Sequence, residues 1–206
     1  SELEPSELDK RRGKRMWSGD RPDFTPRDPQ SPSRGIIERH GSTETLSLYV
    51  MVEPFVNGAR VHLRLTFRSD RPDEVRIESF ASPGSAAISH CVVTATMGNY
   101  ARLRQLWLKD GRALSRELWP DYTDVHFTPH ASFGLDRLWR NEAGDVLVAA
   151  TPDEEEPWLT QAPGHWHYKG TLATQYWSVP ADQVTSSLTA KVNGRHTYWL
   201  SDNPIP

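Results

Sequence analysis

Alternation of apolar and polar side chains limits the possible folds of this chain more than any other feature. In residues 45–53, and again in residues 60–68, every second side chain is apolar and most of those between are polar or charged. Successive side chains of an extended strand point to opposite faces, so this period of two predicts strands with one buried face. Asn57-Gly58 lies between the two segments and predicts a short connection between paired strands.

Turn signals separate further segments of the same kind. Hairpins are predicted at Asp110-Gly111, at residues 141–144 and at Asn193-Gly194. Residues 100–109 fit either a strand or a helix, and the Asp110-Gly111 turn that follows them favours the strand. No sustained 3.6-residue period is present. The chain is therefore predicted to be all-β, an antiparallel β-sandwich of the jelly-roll, concanavalin-like kind with about nine or ten strands.

The first 35 residues differ from the rest of the chain. They contain five prolines and no periodic pattern, which predicts an extended N-terminal arm over residues 1–35. The remaining residues, 36–206, suit a single domain, since β-sandwiches of this length do not need to divide. The one cysteine, Cys91, excludes a disulfide within the chain, and no apolar run approaches the length of a membrane span.

Overall charge and composition narrow the possible ligands. The formal net charge is −3, which argues against the broad basic field of a nucleic-acid-binding protein. The sequence assigns no cofactor and no metal ligand set, and it leaves the oligomeric state open. It contains no recognisable signal peptide, so the compartment stays open too, although a glycan ligand would favour a secreted or periplasmic protein.

Basic side chains line the polar side of one predicted strand. The period of two places four of them on one face: Arg60, His62, Arg64 and Arg68. Guanidinium groups bind carboxylates and sulfates bidentately, so this face favours an anionic ligand, and we assign Arg64 to ligand binding. Arg102 and Arg104 alternate in the same way. The alternative is a solvated face whose arginines pair with acids on neighbouring strands: Glu53, Glu74 and Glu78.

Histidines occur in two close pairs. His126 and His130 are four residues apart, but Pro129 disfavours a helix there, while His165 and His167 would share one face of a strand. One interpretation is general acid or base catalysis by one or more of these imidazoles. Another is a metal site like that of the cupins, which bind metals through convergent histidines. The third is that they are ordinary loop or surface residues.

Tryptophan is unusually frequent, with eight in the chain. Large rings usually pack in a core, which is the ordinary interpretation for most of them. A ring that stays exposed can instead stack on the apolar face of a sugar. Trp107 and Trp166 are the rings we assign to ligand stacking. Tyr168 follows Trp166 by two residues in the sequence.

Three short segments resemble the jelly-roll polysaccharide lyases. That family carries an Arg-x-Glu strand, a Gln-x-His strand and a late Tyr-x-Lys-rich strand. This chain has Arg76-Ile77-Glu78, Ile88-Ser89-His90 and Tyr168-Lys169-Gly170 in the same order, with Ile88 where the family has Gln. The resemblance implies that such an architecture can cleave acidic polysaccharides by β-elimination.

The leading hypothesis is a carbohydrate-active protein that acts on an acidic polysaccharide, as a lyase working by β-elimination. The catalytic candidates are His126 or His130 as base, Tyr168 as acid and Arg104 as neutraliser of the substrate carboxylate. The substrate-binding candidates are Arg64, Arg102, Trp107, His165, Trp166 and His167. The alternatives are a non-catalytic carbohydrate-binding module and a cupin-like metal-dependent enzyme. Each requires that these side chains, distant along the chain, gather in one cleft.

Overall fold

A computed structural model describes residues 16–23, 25, 34–88, 95–96, 105–120, 130–151, 175–192, 196–202 and 204–206. These residues are predominantly β, and all their strand pairs are antiparallel, as predicted. They contain fourteen strands: β1 (Met16–Gly19), β2 (Ile36–His40), β3 (Thr43–Val52), β4 (Val61–Arg68), β5 (Arg71–Ala81), β6 (Ala95–Thr96), β7 (Gln105–Leu108), β8 (Gly111–Leu114), β9 (Ala131–Gly134), β10 (Trp139–Arg140), β11 (Val146–Thr151), β12 (Gln175–Val179), β13 (Thr189–Val192) and β14 (His196–Leu200).

Helical structure is confined to single turns in the described ranges. Ser115–Leu118 forms one turn of α-helix (α1) after β8, and Ala181–Gln183 forms one 3₁₀ turn after β12. No helix in this part of the chain is long and apolar enough to cross a bilayer.

The chain divides into two compact units between Cys91 and Val92. The N-terminal unit holds residues 2–91 and 204–206, and the C-terminal unit holds residues 92–203 with residue 1. The predicted division into an arm (1–35) and one domain (36–206) stays a prediction. Within the predicted arm, β1 is a paired strand, and its Trp17 lies opposite Met51 of β3.

Sheet I, formed by β1–β5, belongs to the N-terminal unit. β3 pairs with β4 along one edge, and β4 pairs with β5. The other edge of β3 is shared, because β2 pairs with its first half and β1 with its last four residues. The strand pair predicted from the alternation in residues 45–53 and 60–68 is thereby confirmed, with Leu48 opposite Leu65 and Val50 opposite Leu63.

Burial in sheet I follows a different face from the one that the alternation suggests. The regular apolar face stays half-exposed or exposed, and Phe67 of that face is 38% exposed. The fully buried side chain of Met51 and the buried His62 lie on the opposite face, where the basic residues are. His62 packs in parallel on Phe80 with ring centroids 5.1 Å apart, and its Nδ1 is hydrogen-bonded to Ser82 Oγ at 3.0 Å. The register confirms that His62 shares a face with the arginines, and stacking together with one satisfied ring nitrogen makes its burial there tolerable.

Two sheets form the C-terminal unit. Sheet II contains β7, β8, β10, β11 and β12, and sheet III contains β6, β9, β13 and β14. All three predicted hairpins are present: β7 pairs with β8, β10 with β11, and β13 with β14. In sheet II, β12 pairs along one edge of β11, while β10 and β7 pair with successive parts of the other edge.

The core of this unit lies between sheets II and III. Leu106 and Val148 from sheet II and Phe133 and Ala190 from sheet III belong to one buried hydrophobic cluster. Trp177 and Trp199 pack against the same cluster. The C-terminal unit is thus two antiparallel sheets packed face to face, as in a β-sandwich. Each sheet consequently has one face toward the core and one toward the outside.

Candidate functional site

Three of the ten predicted site residues lie in the described part of the chain. They are Arg64 in β4, Trp107 in β7 and His130, which directly precedes β9. The other seven lie outside the described residues: Arg102, Arg104, His126, His165, Trp166, His167 and Tyr168. Their predicted roles stay predictions.

Trp107 lies on the outward face of sheet II. Its neighbours Leu106 and Leu108 point into the core, so Trp107 must point away from it. Trp107 pairs with Ala149 on β11, and Ala149 pairs on its other side with Tyr176 of β12. Directly paired residues of antiparallel strands lie on the same face. The two rings therefore flank Ala149 from both sides on one surface.

A third ring lies on the same surface. Trp139 of β10 pairs with Leu147, which is two residues from Ala149 along β11 and so shares its face. The three rings are well exposed, Trp107 by 42%, Trp139 by 44% and Tyr176 by 77%. We call this set, Trp107, Trp139 and Tyr176 on the outward face of sheet II, the aromatic platform.

A positive charge lies at one end of the platform. Arg112 of β8 pairs with Trp107, and its guanidinium carbon lies 5.5 Å from the centroid of the Trp107 ring. At this distance the ring quadrupole attracts the cation. The row Arg112, Trp107, Ala149, Tyr176 thus crosses four adjacent strands of sheet II. It combines flat apolar surface with a guanidinium that can bind an anionic group.

Exposed rings in this number on one face have a physical meaning. Single exposed apolar residues are common on protein surfaces, whereas a contiguous patch marks an interaction site. Each exposed ring forgoes the hydrophobic stabilisation that burial would give. The same sheet buries Trp177 on its core face, so it can accommodate indole rings inside. The platform is therefore an exposed aromatic surface outside the core.

His130 belongs to a second cluster, on the outward face of sheet III. Its Nδ1 is hydrogen-bonded to the hydroxyl of Tyr198 at 2.7 Å, and the two rings meet edge to face. Partial burial raises the pKa of Tyr198, so its hydroxyl stays protonated at neutral pH. Tyr198 pairs with Lys191 of β13, which places an ammonium group on the same face.

Trp107 and His130 are not brought together. The platform lies on the outer face of sheet II, and the His130–Tyr198 pair lies on the outer face of sheet III. The shared core of the C-terminal unit separates them. A common cleft that holds both side chains, as the sequence hypothesis requires, is therefore not formed by these two residues.

Arg64, in the N-terminal unit, is engaged by an acid of the neighbouring strand. Glu78 of β5 accepts a hydrogen bond from Arg64 Nε at 2.8 Å, and a terminal nitrogen of Arg64 lies 2.7 Å from the same carboxylate oxygen. This hydrogen bond raises the pKa of Arg64 above its ordinary value. The second oxygen of Glu78 lies 3.1 Å from Arg76. Arg64 is thus one of two guanidiniums that share a single carboxylate.

Other arginines of the same surface are paired as well. Arg68 makes a bidentate contact with Asp70, and Arg71 lies 3.2 Å from Glu74. Arg68, Arg71 and Glu74 line a depression of about 300 Å³ together with Thr45, Thr66 and Arg76. The solvated, acid-paired face that the sequence left as an alternative is what the structure shows at these positions.

No metal cluster is found in the residues that the structure describes, in the sense of three or more His, Cys, Asp or Glu side chains placed to hold an ion. Only His130 of the four histidines considered for such a site is described. The cupin-like alternative therefore stays a prediction.

Several residues of these two clusters were not among the predicted site residues. Tyr176, Trp139 and Arg112 belong to the platform, and Tyr198 is the partner of His130. Local signals existed, because Tyr176 and Trp177 are adjacent in a strand and must point to opposite faces. The pairing of β7 and β12 with one strand, β11, is a long-range contact that no local pattern contains.

Comparison with known proteins identifies no relative. No protein-family model, no curated protein and no solved structure matches this chain.

Proposed function

We propose that this chain is a carbohydrate-active protein that binds an acidic polysaccharide through the aromatic platform. The observation that carries the proposal is the exposure of Trp107, Trp139 and Tyr176 on one face of sheet II, with Arg112 beside Trp107. Sugar rings have flat faces of C–H groups that stack on aromatic rings, and their hydroxyls stay in water. A guanidinium at the end of the row supplies a partner for a carboxylate or sulfate of the ligand.

Nucleic acid is the competing ligand, because bases stack on the same rings. The net charge of −3 disfavours a polyphosphate, since nucleic-acid affinity depends on neutralising many phosphates with basic side chains. In the row of paired residues on the platform, the strand register places one basic residue, Arg112. An acidic glycan can be bound by stacking of its sugar rings with one guanidinium for its charge, so it is the better match.

Substitution of the rings tests this proposal. Trp107→Ala and Tyr176→Ala should each weaken binding of soluble uronate polymers by about tenfold or more, because loss of one stacked ring costs about 1–3 kcal/mol. Binding is measured by affinity electrophoresis and calorimetry. Phe67→Ala is the matched control, since it removes a partly exposed ring in sheet I.

Two results would contradict the proposal. One is tighter binding of a single-stranded oligonucleotide than of any glycan, with the same dependence on Trp107. The other is an equal loss of glycan affinity in Phe67→Ala, since the effect would then not belong to the platform.

A lyase activity is the second candidate, and the His130–Tyr198 hydrogen bond favours it. In β-elimination a base removes the proton next to the carboxylate, the double bond forms between C4 and C5, and the bond from C4 to the linking oxygen breaks. An acid then protonates that leaving oxygen. An imidazole can act as the base, and a tyrosine whose pKa is raised is kept protonated to act as the acid. Lys191 supplies a cation for the substrate carboxylate.

The lyase candidate predicts an unsaturated product. Incubation with a panel of uronate polymers should raise the ultraviolet absorbance, and His130→Ala and Tyr198→Phe should each lower the rate about 10²–10⁴-fold. Ser132→Ala, on the paired strand of the same face, is the control. Absence of product from every polymer would remove the lyase candidate and leave the binding proposal in place.

The finer parts of the fold prediction also remain proposals. Non-local pairs such as β7 with β11 and β9 with β13 support jelly-roll connectivity, in which distant strands become neighbours. The count of nine or ten strands stays a prediction too. Several of the fourteen described strands are very short, and β10 and β7 continue along a single edge.

A further inference from the structure

Trp107 and Tyr176 lie on either side of one small residue. Both are direct partners of Ala149, so two strand spacings separate them. Neighbouring strands are 4.7–4.9 Å apart, which puts the two aromatic residues about 10 Å apart across the sheet. Ala149 itself is 7% exposed, and an alanine places nothing longer than a methyl group between them.

We propose that the aromatic platform binds a linear β-1,4-linked uronate chain that lies across the strands of sheet II, with alternate sugar rings stacked on Trp107 and Tyr176. This inference rests on the proposed function, because it names the class of glycan that the same surface takes. The ligand axis follows the row Arg112, Trp107, Ala149, Tyr176.

The linkage follows from the shape of the polymer. In an extended β-1,4-linked chain each sugar is turned by about half a revolution relative to the one before it. Every second ring therefore presents the same face to one side, at a repeat close to the separation of Trp107 and Tyr176. The ring between them turns its other face and lies over Ala149. Chains with α-1,4 or β-1,3 linkages coil, so they do not present alternate rings in one plane.

The charge follows from Arg112. Its register partner is Trp107, so its backbone lies one strand farther from Ala149, and its guanidinium carbon lies over the Trp107 ring, 5.5 Å from the ring centroid. A chain stacked on the two rings and extended in this direction brings its next sugar to the guanidinium. A carboxylate on that sugar can accept a charge-assisted hydrogen bond, which a neutral sugar cannot offer.

Binding of four hexasaccharides to the full-length protein, measured by calorimetry, tests the linkage and the charge. The probes are hexamannuronate (β-1,4, acidic), cellohexaose (β-1,4, neutral), maltohexaose (α-1,4) and laminarihexaose (β-1,3). We expect both β-1,4-linked probes to bind at least about tenfold more tightly than the other two, which corresponds to the loss of one stacked ring. Hexamannuronate should bind more tightly than cellohexaose, and Arg112→Gln should remove that difference.

Two ring variants test the alternate-ring geometry. Trp107→Ala and Tyr176→Ala should weaken hexamannuronate binding by similar factors, since each removes one of two equivalent contacts. Tyr176→Phe keeps the stacking face and should retain most of the affinity. Both positions face outward, so the thermal unfolding midpoint of each variant should match that of the original chain.

Ala149 gives an independent test. Ala149→Leu puts a branched side chain where the middle sugar lies, so hexamannuronate should lose at least about tenfold in affinity while a mannuronate monomer, which needs one ring only, loses little. If Ala149→Leu lowers stability, Ala149→Val serves as the second variant, because its smaller branched side chain also occupies the space over Ala149 and should weaken hexamannuronate binding more than monomer binding.

The results of these binding experiments distinguish this inference from the proposed glycan-binding function on which it rests. Equal or tighter binding of maltohexaose or laminarihexaose, still weakened by Trp107→Ala, would overturn the β-1,4 assignment and leave glycan binding intact. Loss in Trp107→Ala with no loss in Tyr176→Ala would overturn the two-ring geometry. No binding of any hexasaccharide or of the uronate polymers would contradict both proposals.

Discussion

His62 is buried, and it lies on the face of β4 that also carries the arginines of that strand. It stacks on Phe80, lies 6.1 Å from Tyr49 between ring centroids and is hydrogen-bonded to Ser82. Burial removes the water that would stabilise an imidazolium ion, and this desolvation lowers the pKa of His62 below its ordinary 6.5. The folded state therefore holds His62 neutral.

Stability should consequently depend on pH through His62. Between its folded pKa and 6.5 the unfolded chain binds more protons than the folded one, so the free energy of unfolding falls as pH decreases through that window. Above about pH 6.5 the contribution is complete. His62→Gln cannot titrate, so urea unfolding from about pH 7 to pH 5 should show a shallower pH dependence in this variant. An unchanged slope would contradict the assignment.

Unlike the hydrogen-bonded His62 ring, Trp177 has a buried hydrogen-bond donor for which the described residues provide no acceptor. Its indole nitrogen is buried, and no hydrogen-bond acceptor for it is present among the described residues. A buried unsatisfied donor costs about 1–3 kcal/mol. Trp177→Phe removes that donor along with part of the ring, so we expect the free energy of unfolding to change by less than about 1 kcal/mol. Trp177→Ala should cost about 3–5 kcal/mol by leaving a cavity. Denaturant unfolding measures both, and similar losses in the two variants would show that the nitrogen is satisfied.

Burial of individual rings could be predicted only in part. Adjacent Tyr176 and Trp177 must point to opposite faces of a strand, and Trp177 is the one that packs against the core. Trp107 was chosen as an exposed ring, and it is exposed. Trp139 gave no such indication, because the strand that carries it is two residues long and its face is set by pairing with Leu147.

Among the elements, β4 and β5 are joined by a charged network as well as by their ladder. Glu78 accepts from Arg64 and Arg76, and its side chain is only about one-fifth exposed. Arg39 and Glu44 form a contrasting pair on β2 and β3, with both side chains well exposed. Exposed pairs contribute little, because water screens them and the long side chains lose entropy.

Removal of the two carboxylates should therefore have unequal effects. Glu78→Ala leaves a half-buried guanidinium without its main partner and should lower the free energy of unfolding by about 1–2 kcal/mol. Glu44→Ala should change it by less than about 0.5 kcal/mol. Denaturant unfolding at low and high salt measures the difference, and equal effects would show that Glu78 adds nothing beyond an exposed pair.

Elements joined by short turns could be predicted, whereas distant pairings could not. Asp110-Gly111 and Asn193-Gly194 mark their hairpins locally, and both hairpins occur. The neighbours of β11 come from segments about 40 residues before it and 30 after it, and only packing of the core selects them. The division of one edge of β3 between β1 and β2 is another result of packing that alternation does not reveal.

At the scale of the whole molecule, the two units differ in how their sheets are buried. In the described part of sheet I, Met51 is fully buried while the regular apolar face is partly exposed. Sheets II and III enclose several fully buried side chains, among them Leu106, Val146 and Val192. Local opening should therefore require less free energy in sheet I.

Hydrogen exchange on the full-length chain can detect this difference. Amides of β11 and β13 should exchange at least about tenfold more slowly than those of β3 and β4, relative to their intrinsic rates. Equal protection would mean that the half-exposed face of sheet I does not weaken it.

The predicted cleft depended on where side chains from distant segments would meet. Sequence periodicity gives the face of a strand but not which sheet the strand joins or on which side of the core that sheet lies. Trp107 and His130 both point outward, as a ligand-binding role requires, yet their strands belong to different sheets. The predicted roles of both residues stay predictions, and their separation could not be predicted from the sequence.

That separation governs how the molecule could work on a polymer. If a glycan chain binds the aromatic platform as proposed, it lies on the opposite side of the core from the His130–Tyr198 pair of the same copy, and that pair would face chains bound to other copies. The rate of any cleavage per protein molecule would then rise with the number of copies bound to the same polymer. An isolated copy would mainly bind the polymer without cleaving it.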